Sequence, residues 1–177
     1  HILAIFKDGT YYTTSADLSN RYQGELLKIV KLDLNKTYTA LYYDKAVEAF
    51  YVKRFSFDVS DNNLQSFISD AKGSYLVAIS EDRRPQIEAV FGGKHEHREA
   101  EKIDAEEFIG KKGLQAKGKK VSQYELKEVR FIEPLPVEEE EEDALMPEAD
   151  NQAGEIDNTG VEDPTDTGED DDQPTLF

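Results

Sequence analysis

The stretch Ile2-Leu3-Ala4-Ile5-Phe6-Lys7-Asp8-Gly9-Thr10-Tyr11-Tyr12-Thr13-Thr14 places two β-prone runs on either side of an Asp-Gly. Residues with branched or aromatic side chains suit a pleated, half-buried surface, and Asp-Gly supplies the left-handed backbone of a tight turn, so the stretch predicts a β-hairpin. Similar units follow. Tyr38–Tyr43 and Ala49–Phe55 flank a polar turn, and Tyr75–Ile79 and Gln86–Phe91 flank Glu81–Pro85. A looser fourth unit runs from Phe108-Ile109 through a lysine-rich loop to Val121–Ile132. Counted from Ile2, Tyr38, Tyr75 and Phe108, the steps are 36, 37 and 33 residues. A hairpin repeated at that period predicts an all-β body of blades, each burying an apolar face on its neighbour. An ordinary barrel or sandwich is the competing all-β arrangement. The linking segments Leu26–Leu32, Gln65–Ile68 and Glu101–Ile103 are candidates for further strands, and Asp104 is expected to cap a helical turn by accepting from the Glu107 N–H.

The formal net charge of -17 hides a division. Residues 1–136 hold all 21 Lys+Arg and 21 of the 38 Asp+Glu, whereas residues 137–177 hold 17 acids and no base. The chain therefore reads as a neutral body, residues 1–134, followed by an acidic tail, residues 135–177. Pro134-Leu135-Pro136 ends the strand pattern, because proline removes a ladder donor. Beyond it the chain has too few apolar groups to offset its ordering entropy and is expected to be disordered. The absence of Cys excludes disulfides and thiolate chemistry. No apolar run approaches the length of a membrane span, and no signal peptide is recognisable, so no membrane association and a cytoplasmic location are expected. The chain opens at His1 rather than Met, and it is expected to be a piece of something longer.

Gly110–Lys120 carries five lysines, three glycines and no acid. Glycines allow close backbone approach and lysines supply point charges, a combination suited to a loop lying on a phosphate backbone. The candidate DNA-binding residues are Lys111, Lys112, Lys117, Lys119 and Lys120, joined by the pairs Lys53-Arg54 and Arg83-Arg84, of which one member each faces outward in a strand. His95 and His97 would share a strand face, yet without Cys and with only His1 elsewhere they make no metal site. No Ser/His/Asp arrangement can be assembled, so no catalytic residue is assigned. Tyr11, Tyr12, Tyr42 and Tyr43 are expected to be packing groups.

Three stretches carry a family resemblance. Lys102-Ile103-Asp104 through Phe108-Ile109, followed by Lys112-Gly113-Leu114-Gln115-Ala116-Lys117-Gly118, is similar to a stretch of the A subunits of Bacteroidetes-type gyrase and topoisomerase IV. Lys7–Thr14 and Asp17–Tyr22 also resemble blades of that group, and the likeness covers roughly residues 1–134. It implies the C-terminal domain of a bacterial type IIA DNA topoisomerase A subunit: a β-pinwheel, propeller-like, whose basic rim wraps and bends double-stranded DNA for strand passage. Upstream blades would be missing from this piece. The resemblance further implies that the catalytic tyrosine and metal-binding acids lie elsewhere. ATP and Mg would serve the holoenzyme, with no cofactor in this segment, and the topoisomerase's ATPase subunit would be a partner through the N-terminal part. A Gln-Arg-Arg-Gly-Gly-Arg-Gly-like box, expected of a dedicated gyrase, is not found, which favours the A subunit of topoisomerase IV over that of gyrase.

Two readings concern the tail. A coil of 41 residues reaches about 35 Å and would fold back on a basic rim as a DNA mimic. Gln173-Pro174-Thr175-Leu176-Phe177 resembles the Gln-x-x-Leu-Phe peptide that docks on the replication sliding clamp, with Gln173, Leu176 and Phe177 as its contacts. The alternative function is a propeller-type protein-interaction module whose acidic tail recruits a basic partner.

Overall fold

In the computed structural model, which describes residues 1–139, the first hairpin forms as expected. Strand β1 (Ile2–Phe6) pairs antiparallel with β2 (Thr10–Thr14). Gly9 takes φ +78° in the turn, where its N–H donates to the Phe6 carbonyl and Asp8 accepts from the Thr10 N–H. Strand β3 (Leu26–Lys31) adds on the other side of β1. The second hairpin joins β4 (Tyr38–Asp44) to β5 (Ala49–Phe55) in full register from Tyr38↔Phe55 to Asp44↔Ala49.

The third expected hairpin does not form. Strand β7 (Tyr75–Ser80) pairs with β4, while β8 (Gln86–Phe91) pairs with β9 (Glu101–Asp104) and β11 (Leu126–Ile132) in another sheet. The segment between β7 and β8 is thus a crossover, with Asp82 turned by Ser80 and Pro85 ending the corner. The first strands of the three repeats start at Ile2, Tyr38 and Gln86, so the spacing is 36 and then 48, not the even period expected. The fourth unit is likewise no hairpin: it holds α1 (Ala105–Phe108), the two-residue strand β10 (Lys119–Lys120) and β11. Asp104 does cap α1, accepting from the Glu106 N–H rather than that of Glu107.

The described chain is all-β apart from α1 and one 3-10 turn at Gly93–His95, in three antiparallel sheets. Their strand orders are β3-β1-β2-β6, β10-β5-β4-β7 and β11-β8-β9, where β6 is Gln65–Ser66. The pattern recurs. In the first two sheets a hairpin is flanked by the closing strand of its own repeat and by a two-residue strand sent back from the following repeat. The segment after β5 runs along β2, with the Asn62 N–H on the Thr13 carbonyl, β6 on Thr10 and Tyr11, and the Phe67 N–H on the Gly9 carbonyl. The segment after α1 runs along β5 in the same way.

Two cores lie on either side of the middle sheet. Leu3, Ile5 and Tyr11 of the first sheet meet Tyr38, Tyr42 and Phe55 of the second, with Phe57 and Phe67 between them. Leu41 and Val52 meet Ile87, Ala89, Ile103 and Val129 of the third. Both faces of the middle sheet are covered, so the seven residues of β4 are nearly all buried. Tyr11 and Tyr42 pack inside, Tyr12 stacks on Phe6 and Tyr43 on Tyr75. Among the described residues no helix is long and apolar enough to cross a membrane. The acidic run from residue 140 and the terminal Gln173, Leu176 and Phe177 lie outside the described residues.

Candidate nucleic-acid interface

The lysine loop is an excursion from the outer edge of β5. It arrives at Arg54, where Lys111 bridges to that residue and the Lys112 N–H donates to its carbonyl at 2.8 Å. It leaves where Lys119 and Lys120 pair with Val52 and Tyr51, and the Val121 N–H donates to the Phe50 carbonyl. Arg54 and Tyr51 are three residue steps apart on β5, so about 10 Å of sheet edge anchors both ends of the loop.

Only Gly118 of the loop's three glycines is required by its surroundings. A Cβ there would lie 2.6 Å from the Val52 carbonyl oxygen and 3.0 Å from the Tyr42 hydroxyl, to which the Gly118 N–H donates. Gly110 and Gly113 face open space, and none of the three has a positive φ. The close approach expected of these glycines is thus made to the protein's own β5.

Lys111, Lys112, Lys117, Lys119 and Lys120 are all exposed, and none forms an ion pair among the described residues. Some other cations are paired, Lys28 and Lys36 with Glu81 and Arg130 with Glu88, whereas Lys31, Lys72, Lys94, Lys102 and Lys127 are exposed without an ion pair among the described residues. Two loop lysines rest on aromatic faces. The Lys117 ammonium lies 5.0 Å from the Tyr51 ring centre, and that of Lys119 lies 4.0 Å from the Phe108 ring while donating to the Phe108 carbonyl. These rings restrict side-chain freedom without removing charge.

The paired candidates fare differently. Lys53 is not at the surface: only 3 % of it is exposed, because strand alternation puts it on the Tyr51 and Phe55 face of β5, inside the first core. Its Nζ donates to the Phe67 and Leu114 carbonyls, each at 2.6 Å, and burial pushes its pKa down to about 8. Arg54 is half-buried with its Nε lacking a partner. Arg84 is bonded to Asp104 at 2.7 Å, with Glu106 at 3.4 Å, and donates to the Pro136 carbonyl, which ties down the chain after β11. Arg83 is exposed. His95 and His97 lie in and beside the 3-10 turn rather than on a strand, and the His95 ring packs on Tyr124. Among the described residues no three His, Asp or Glu gather as a metal site.

Sequence reading missed one further cation. The Arg98 guanidinium stacks 4.3 Å from the Tyr124 ring centre and 5.0 Å from Phe91, and the residue is exposed. No short-range signal linked these residues, since β11 brings Tyr124 beside the end of β8.

No curated protein matches this chain. A comparison with protein-family models matches residues 1–133 to the topoisomerase C-terminal domain of Bacteroidota, the same stretch that builds the three sheets and carries the lysine loop. The chain therefore belongs to the topoisomerase C-terminal domain family of Bacteroidota.

Proposed function

We propose that this domain binds duplex DNA and wraps or bends it, as the C-terminal part of a type IIA topoisomerase A subunit of the topoisomerase IV kind. The observation that carries the reading is the loop of five exposed lysines docked on the outer edge of β5, none of them in an ion pair among the described residues. Such contacts neutralise phosphates without reading bases, and their energy offsets a bending cost of a few kcal/mol. Arg83 adds an exposed cation at the β7–β8 corner.

The sheets are the blades of a pinwheel, each locked to the next by its exchanged strand. Their two ends differ. The outer face of the third sheet is polar, with Glu88, Arg130 and Glu128 joined in ion pairs. The outer face of the first sheet is apolar: Ile29 and Leu26 are exposed there, and Leu18 stands fully in solvent nearby. That asymmetry supports a further blade packing on the first sheet. In the holoenzyme, ATP and Mg act at the catalytic regions together with the ATPase subunit, and the protein works on the chromosome in the cytoplasm.

A mobility-shift salt series tests the reading. The wild-type body should lose affinity with a log–log slope of about -4 to -5, and replacing the five loop lysines with Ala should flatten it towards zero. Equal slopes for both proteins would reject the interface. A body without salt-sensitive duplex binding would favour a protein-interaction role.

A further inference from the structure

We infer that Lys53 is a positioning residue for the lysine loop: its buried ammonium ties Leu114 of the loop to Phe67 of the preceding exchange segment. The inference rests on the DNA-binding reading only for its consequence, not for its geometry.

A lysine is seldom so fully buried unless paired, since removing an ammonium from water is costly. Among the described residues Lys53 has no carboxylate partner. Its acceptors are two backbone carbonyls, with the Phe55 ring centre 4.9 Å away. Those carbonyls belong to two segments that cross from one repeat to the sheet before it. Between the Lys112 N–H on the Arg54 carbonyl and the Gly118 N–H on the Tyr42 hydroxyl, the loop has two hydrogen bonds to the rest of the body. One is the Leu114 carbonyl on Lys53, and the other is the exposed Gln115 side-chain amide on the Ser66 carbonyl. The first is short, buried and charge-assisted, the kind that fixes geometry. Leu114 itself is held in the first core, and Lys112 and Lys117 emerge on either side of it. A merely space-filling role would be met by any side chain of this length. A direct phosphate contact is excluded by burial.

The test compares wild type with Lys53→Met, which keeps the apolar stem and removes the donors. Without DNA, exchange of the hydrogen-bonded loop amides of Ala116 and Gly118 should quicken about tenfold in the variant while the amides of β4 and β5 keep their protection. Duplex affinity should fall about tenfold with the salt slope unchanged, whereas a lost phosphate contact would lower the slope by about one. Unchanged exchange and unchanged affinity would overturn the inference. Should Lys53→Met fail to fold, nuclear magnetic resonance of the wild type decides: its Nζ protons should exchange slowly and show contacts to Phe67 and Leu114, and bulk-like exchange would overturn it. If wild type does not bind duplex, the DNA reading falls and the exchange data still judge the positioning role. If it binds while loop exchange is unaltered in the variant, the positioning role alone falls.

Discussion

A buried lysine held by two carbonyls gives the domain a characteristic response to alkali. Lys53 has its pKa lowered by burial from the ordinary 10.5 to about 8, so the folded state sheds this proton before the unfolded chain does. Below pH 8 both states are charged and folding carries the desolvation cost. As pH rises above 8 the unfolded state binds more protons and stability climbs. The neutral amine still has two N–H bonds for its two carbonyls, so neither contact is lost. Tyr11 and Tyr38, pushed up to about 12 chiefly by burial, act oppositely once unfolded tyrosines ionise near 10. Stability should therefore rise by about 2–3 kcal/mol between pH 8 and 10 and then turn over. Urea titrations across that range would show it, and a Lys53→Met protein should lack the rise. A wild type with the same flat profile would disprove the assignment. The position is legible in the sequence: alternation along Ala49–Phe55 sets Lys53 with Tyr51 and Phe55. Its charge points the other way, towards the surface, and here the period prevails over the charge.

At the scale of elements, the docking of the loop turns on Gly118. A methyl group there has no room against the Val52 carbonyl, so Gly118→Ala must push β10 off β5. The expected cost is about 1–3 kcal/mol, visible as a lowered denaturation midpoint. A variant of unaltered stability would mean that the edge tolerates a shift. Gly113→Ala, which meets open space, serves as the control.

This contrast also shows which elements sequence can disclose. β1, β2, β4 and β5 are readable because alternation and the turns between them are local, and β3 stands out as a β-prone run. β7 and β8 show the same local signature as a hairpin, yet β7 turns back to β4 while β8 pairs with the following β9 and with β11, a choice of partner that no periodicity encodes. β6 and β10 are two residues long, too short for any alternation. The charge of the lysine loop is plain from composition. The rings beneath Lys117 and Lys119 are not, because Tyr51 meets its lysine only through the exchanged strand.

For the whole molecule, the exchanged strands predict joint unfolding of the sheets. Phe57 lies on the segment leaving β5 and touches Tyr11, Tyr38, Phe55 and Phe67, residues from the first two repeats. Phe57→Ala should cost about 3–5 kcal/mol and lower one common transition rather than split it. Calorimetry, followed by fluorescence and circular dichroism on the same sample, would reveal separate transitions if the sheets were independent.

The segment that completes each of the first two sheets is encoded one repeat later, so the unit of inheritance and the visible layer are out of step. A chain trimmed at the borders of a layer leaves one strand without a host and another without a guest. Lengthening or shortening by whole repeats keeps every handover intact, because each incoming segment meets the same kind of hairpin edge. Such a body can change in size across generations while its seams stay sealed, and a cationic loop carried by one repeat is always displayed on the flank of its predecessor.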